Sequence, residues 1–170
     1  MIINFFEERC QSKTDQPKFG LCDDPPPSNT PAYIDIDVCN EQKKWIAIVE
    51  NPNKIEVIFT AIDNCIEIRR ANGEMDNRCD GMLTYQNSII FIELKERSYR
   101  NSIWIDEGEQ QLKNTIHRFV ENYDIANYRS KKAYMANRKK PSFQYSHKQK
   151  MQEFKNKTGF ILIIQNTIKI

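Results

Sequence analysis

Three residues of this 170-residue chain are placed by type and spacing to do chemistry together: Asp80, Glu93 and Lys95. The last two close the run SIIFIELK, in which alternation puts Ile89, Phe91, Glu93 and Lys95 on one face and Ile90, Ile92 and Leu94 on the other. Both faces begin apolar, so this strand is expected to be central and buried. Charges are seldom buried without a paired or metal-bound partner, because desolvation costs several kcal/mol per ion. The run DGMLTY before it is separated from it by Gln86-Asn87, a turn signal. A two-residue turn there sets Tyr85 opposite Ser88, Met82 opposite Phe91 and Asp80 opposite Glu93. A three-residue turn would shift the pairing by one and move Asp80 to the other face. In the first register the two carboxylates stand about 4.5–5.5 Å apart at Cβ and repel each other unless a cation lies between them. A hard divalent ion, magnesium or manganese, held by one or two carboxylates with substrate phosphate and water, suits such a pair. Lys95, on the same face, can orient a nucleophile and stabilise charge developing on phosphoryl oxygens. An ExK triplet on a surface strand would be an ordinary ion pair. The apolar strand and the opposed aspartate favour a hydrolytic site instead.

The elements that must hold these residues are readable from periodicity. Residues 45–49 (WIAIV) form a short β-branched strand run that ends at Asn51-Pro52-Asn53. Ile55, Ile58, Phe59, Ile62 and Ile66 then recur at helical spacing, which predicts a helix, although the many β-branched residues also permit a strand. Strands follow at 66–70 (IEIRR), 80–85 and 88–95, the last two as a hairpin. Leu112, Ile116, Phe119, Val120 and Tyr123 mark one stripe of a helix over about 106–123, with Asp106, Glu107 and Glu109 suiting its amino end. Residues 159–164 (GFILII) are an apolar run of the kind a strand buried on both faces shows. The order is helix, three strands, helix, strand.

At Asp80, and at Glu93-Leu94-Lys95 after twelve intervening residues, the sequence resembles the PD-(D/E)XK superfamily of metal-dependent nucleases. The resemblance implies an α/β fold with a restriction-endonuclease-like αβββαβ core, a mixed central sheet flanked by helices. It implies magnesium or manganese as cofactor, held by Asp80, Glu93 and the backbone carbonyl of Leu94, with Lys95 as the catalytic lysine. It implies a further acid on the helix before the strands, where Glu56 is preferred to Asp63. It also implies a glutamine on the following helix, for which Gln111 fits better than Gln110. The sequence departs from the family pattern at Cys79, where the family carries a proline. The activity implied is metal-dependent hydrolysis of nucleic-acid phosphodiester bonds, in particular by a DNA endonuclease. A retired site on the same fold would leave a nucleic-acid-binding or protein-interaction module, and dependence on partner chains would make it a subunit of a restriction, repair or defence complex.

Charge is unevenly spread. Residues 128–158 hold ten Lys or Arg against one acid, +9, so an overall charge of +2 leaves −7 for the rest. This segment, with aromatic residues between its charges, is expected to contact phosphates through Arg129, Lys131, Lys132, Arg138, Lys139 and Lys140. Four of the seven prolines fall between positions 25 and 31, so residues 1–32 read as an arm and linker leading into one domain over 33–170. Five cysteines, odd in number and never spaced as CxxC, suggest free thiols and neither a disulfide framework nor a zinc cluster. With no export signal or membrane span in the pattern, a cytoplasmic protein is expected. Cutting two strands would suit a homodimer.

Overall fold

The computed structural model describes residues 2–98, 103–139 and 148–170. Its described residues form a mixed α/β fold of two mixed sheets and two α-helices. The strands in chain order are β1 (Gln11–Thr14), β2 (Lys18–Cys22), β3 (Tyr33–Asp35), β4 (Ala47–Glu50), β5 (Val57–Ala61), β6 (Gly81–Tyr85) and β7 (Ser88–Lys95), then helix α1 (Ile103–Asn122) and β8 (Ser130–Asn137). Helix α2 (Lys148–Thr158) and strands β9 (Ile161–Ile164) and β10 (Thr167–Lys169) follow. One sheet runs β1-β5-β6-β7-β8-β9, antiparallel as far as β7 and parallel beyond it; the other runs β10-β4-β2-β3.

The larger sheet has different cover on its two faces. On one, Met82, Ile89, Phe91, Ala133, Met135 and Leu162 pack under α1 and α2 through Leu112, Ile116, Phe119 and Phe154. On the other, Leu83, Ile90, Ile92 and Tyr134 pack against Phe19, Leu21, Val49 and Ile168 of the smaller sheet. The alternation read from SIIFIELK therefore holds, since both faces of β7 are buried and the strand is central. Helices cover only one face, however, and a second sheet takes the place expected of helices on the other.

The hairpin has the shorter turn. Tyr85 pairs with Ser88 and Met82 with Phe91, with Gln86 at a left-handed φ of 46°. Several other expectations are corrected. The helix expected over residues 55–66 is strand β5, because Val57, Phe59 and Ala61 are buried against the second sheet and their β-branched and aromatic neighbours suit a pleated surface. Residues 66–70 make only an isolated bridge, Arg69 to Met75. The strand after α1 is β8, read in sequence as part of a basic segment; its Ala133, Tyr134, Met135 and Ala136 are buried. Residues 161–164 form an edge strand, with Ile161 exposed. On α1, Val120 also faces solvent.

The N-terminal 32 residues are no detached arm. They supply β1 and β2, and Phe5, Phe19 and Leu21 are fully buried. Phe5 meets Phe119 edge to face at 5.3 Å, and its N–H donates to the Tyr123 hydroxyl at 3.1 Å. The proline-rich stretch between 25 and 31 is a loop joining β2 to β3 inside the domain, not its border. Cys10 and Cys65 are joined by a disulfide across 55 residues, which overturns the expectation of free thiols throughout; Cys22, Cys39 and Cys79 are free. Among the described residues no helix is long and apolar enough to cross a membrane.

Candidate active site

Asp80 immediately precedes β6, and Glu93 and Lys95 end β7. The β6–β7 register, continued by one pair beyond Gly81 and Ile92, sets Asp80 opposite Glu93 on the face beneath α1. All three charged residues are buried: 7% of Asp80, 2% of Glu93 and 8% of Lys95 is exposed. The Asp80 Oδ2 accepts the backbone N–H of Leu94 at 2.6 Å. The N–H and C=O of one strand residue lie on the same edge, so the Leu94 carbonyl is directed toward β6 as well. Lys95 Nζ lies 2.7 Å from Glu93 Oε1 and donates to Gln111 Oε1 at 2.6 Å.

Helix α1 closes the site from above. Gln111 also donates through Nε2 to the Arg78 carbonyl at 3.2 Å, so one carboxamide joins the lysine to the segment entering β6. Four residues along, the Thr115 hydroxyl accepts the Cys79 N–H at 2.8 Å and donates to the Gln111 carbonyl at 2.9 Å. A proline at position 79 would have no N–H to give, so the cysteine there is what allows this tie. Gly108 sets how closely the helix descends. A Cβ there would stand 2.9 Å from Met135 Sδ and 3.3 Å from the Glu93 Cγ.

The electrostatics are those of a site short of positive charge. Burial, with repulsion from Glu93, pushes the Asp80 carboxyl well above its usual range. Burial likewise raises Glu93 to about 7, although Lys95 opposes the shift. The second oxygen of Glu93, Oε2, is buried and has no hydrogen-bond partner among the described residues. An orphaned carboxylate oxygen beside a second destabilised carboxylate fits a hard divalent ion, which one or two carboxylates and a carbonyl can hold. Among the described residues no group of three or more His, Cys, Asp or Glu comes together as a ligand set.

The other expected site residues fare unevenly. Gln111 is brought against Lys95. Glu56 is not: it precedes β5 at the end opposite Ala61, which pairs with Gly81, and so lies roughly 15 Å or more from Asp80. It is exposed and among the described residues reaches only Lys13, at 3.9 Å. Asp63, just beyond the near end of β5, is the acid of that segment close to the site; it raises the Glu93 pKa and pairs with Arg78 at 2.9 Å. Asp23, directly after β2, also bears on Asp80 and Glu93, and its own carboxyl is raised to about 6 by burial and by Asp63. Sequence reading missed it by treating its segment as an arm, although the alternating KFGLC before it carried a strand signal.

The expected phosphate-contacting residues do not share one surface. Because β7 and β8 are parallel, with Ser88 beside Ser130 and Lys95 beside Asn137, Arg129, Lys131 and Lys132 stand at the far end of the strand, roughly 20 Å from Lys95. Lys131 donates to the Tyr128 carbonyl. Arg138 and Lys139 stand at the near end, and Lys140 lies outside the described residues. No family model matches the chain, and no curated protein or solved structure is similar enough to it to match.

Proposed function

We propose that the protein is a metal-dependent phosphodiesterase of the restriction-endonuclease-like class. Within that class we read it as a magnesium- or manganese-dependent DNA endonuclease. The observation that carries the reading is the buried pair Asp80 and Glu93 opposed at one end of a hairpin, with Lys95 bound to Glu93.

A divalent ion bound by Asp80, Glu93 and the Leu94 carbonyl would offset the carboxylates' repulsion and polarise a scissile phosphate. The chain's own residues supply the rest. Asp80 is held in place by the Leu94 N–H. Lys95 has three ammonium protons; Glu93 and Gln111 take two and fix the direction of the third, which is left to orient water or to meet charge developing on a phosphoryl oxygen. Gln111 holds the lysine to β6 and so keeps it within reach of both carboxylates.

The test incubates labelled single- and double-stranded DNA and RNA with wild type and Lys95→Ala under magnesium, manganese and calcium. Cleavage by wild type in magnesium or manganese, lost in Lys95→Ala, is the expected result. Equal cleavage by both proteins would mean contamination and would remove the reading. Cleavage by neither would favour a binding module that keeps the fold without the chemistry.

A further inference from the structure

Resting on that reading, we propose that Arg97 is the anchor for a substrate phosphate next to the one cleaved, and that the buried side chain of Asn137 holds it there. An open cavity of about 510 Å³ lies beside Lys95, lined also by Arg97, Asn77, Gln110 and Gln111. Its size is that of a ligand cleft, large enough for a nucleotide. Lys95 is already engaged by Glu93 and Gln111. The Arg97 guanidinium makes no hydrogen bond or ion pair among the described residues. Its neighbour just beyond β8, Arg138, is paired with Glu96 at 2.9 Å. Among the described residues Arg97 is thus the cation of this cleft with its full fork of donors unused, and that fork matches the oxygens of a phosphate.

Its backbone is fixed although its side chain has no partner among the described residues. Asn137, 1% exposed, accepts the Arg97 N–H at 3.1 Å and donates to the Arg97 carbonyl at 2.9 Å. The same Oδ1 accepts the Lys139 N–H at 3.2 Å. Asn137 is bracketed in turn by Asn166, which accepts its N–H and donates to its carbonyl, both at 3.0 Å. A buried carboxamide used wholly on backbone groups two residues past β7 orders a segment that could otherwise fray from the sheet. Such ordering lowers the entropy lost when the arginine takes hold of a ligand. The opposite wall bears Asp106, neutralised by Lys150 at 2.6 Å, and Glu107, so the phosphate belongs against Arg97 and not across the cleft.

The experiment measures binding and cleavage separately. A fluorescent oligonucleotide is titrated with wild type, Arg97→Ala, Arg97→Lys and the exposed remote Lys13→Ala, in calcium and over a series of salt concentrations. Arg97→Ala is expected to weaken binding about tenfold and to flatten the slope of log K against log salt by about one phosphate contact. Arg97→Lys should restore the slope and part of the affinity, and Lys13→Ala should match wild type. Inorganic phosphate alone, titrated as a competitor, should displace the oligonucleotide only weakly. Magnesium-dependent cleavage by Arg97→Ala should show a raised KM with kcat nearly unchanged. If wild type binds or cuts and Arg97→Ala does so equally well, with the same salt slope, the assignment of Arg97 is overturned while the nuclease reading stands. If wild type binds no nucleic acid, both fall.

Discussion

Asp80 and Leu94 are joined by a hydrogen bond from the backbone N–H of the second to the carboxylate of the first, 2.6 Å long and buried. The acid before one strand thus completes the ladder of the next, and under the proposed function the same side chain would also hold the metal. The two roles can be separated. Asp80→Asn keeps an acceptor for the Leu94 N–H but removes the charge, so the fold should persist while activity falls at least a hundredfold. Asp80→Ala leaves a buried donor unpaired and should also destabilise by about 1–3 kcal/mol. Paired denaturant melts and cleavage rates check both; an active Asp80→Asn would remove this acid from the site.

Divalent ions should stabilise the wild type. Saturation at about a hundred times Kd adds about 2.7 kcal/mol, so millimolar magnesium or manganese should raise Tm by several degrees. The shift should vanish in Asp80→Asn and Glu93→Gln. A shift that survives in both would place the ion elsewhere.

The Glu93 carboxyl, raised to about 7 mainly by burial, gives a pH dependence of defined sign. Between its ordinary value near 4.5 and about 7 the folded chain holds a proton that the unfolded chain has released. Metal-free protein should therefore lose stability as pH rises through this window and level off above it. The difference between wild type and Glu93→Gln isolates the effect, and a flat difference between pH 5 and 8 would contradict it. Magnesium should stabilise more at pH 8 than at pH 6, because the ion competes with that proton.

Gln111 is expected to act through the lysine. Gln111→Leu removes the acceptor of Lys95 and the donor to the Arg78 carbonyl, and should lower kcat by about ten- to a hundredfold with little change in KM. A larger effect on KM than on kcat would assign the residue to substrate binding.

The disulfide between Cys10 and Cys65 closes a span of 55 residues, for which a cost on the order of 4 kcal/mol is expected when it is lost. Thiol titration of the denatured, unreduced protein should find three reactive cysteines, and reduction should lower Tm markedly. Five reactive thiols before reduction would show the bond absent.

The geometry of the candidate site was legible in the sequence because it rests on local pattern. The alternation of SIIFIELK and the turn at Gln86-Asn87 determine the faces and the register, and these put Asp80 opposite Glu93. What lies outside the hairpin depends on tertiary partners that periodicity does not carry. Residues 57–61 have apolar spacings compatible with helix and strand, and a second sheet packed on them selects the strand. Glu56 fell with that helix, since an acid at its start is brought near Asp80 only if the segment coils. Asp23 and the Cys10–Cys65 bond were hidden because proline content near position 30 reads the same at a domain border as in an internal loop. The basic count over 128–158 averaged a buried strand with its exposed ends, so a sum of charges concealed that Arg129 and Arg138 point to opposite ends of the sheet.

The clasp of Phe5 onto Phe119 and Tyr123 has a consequence for how the chain reaches its folded state. Residues more than a hundred positions apart must meet before the aromatic cluster under α1 is sealed, while the β6–β7 hairpin needs only its own neighbours. During synthesis the early phenylalanines would wait, uncovered, until the helix emerges, a long-range closure of the kind that slows folding. Phe5→Ala should therefore speed unfolding far more than it slows refolding, and stopped-flow rates showing the reverse would place the clasp in the folding nucleus.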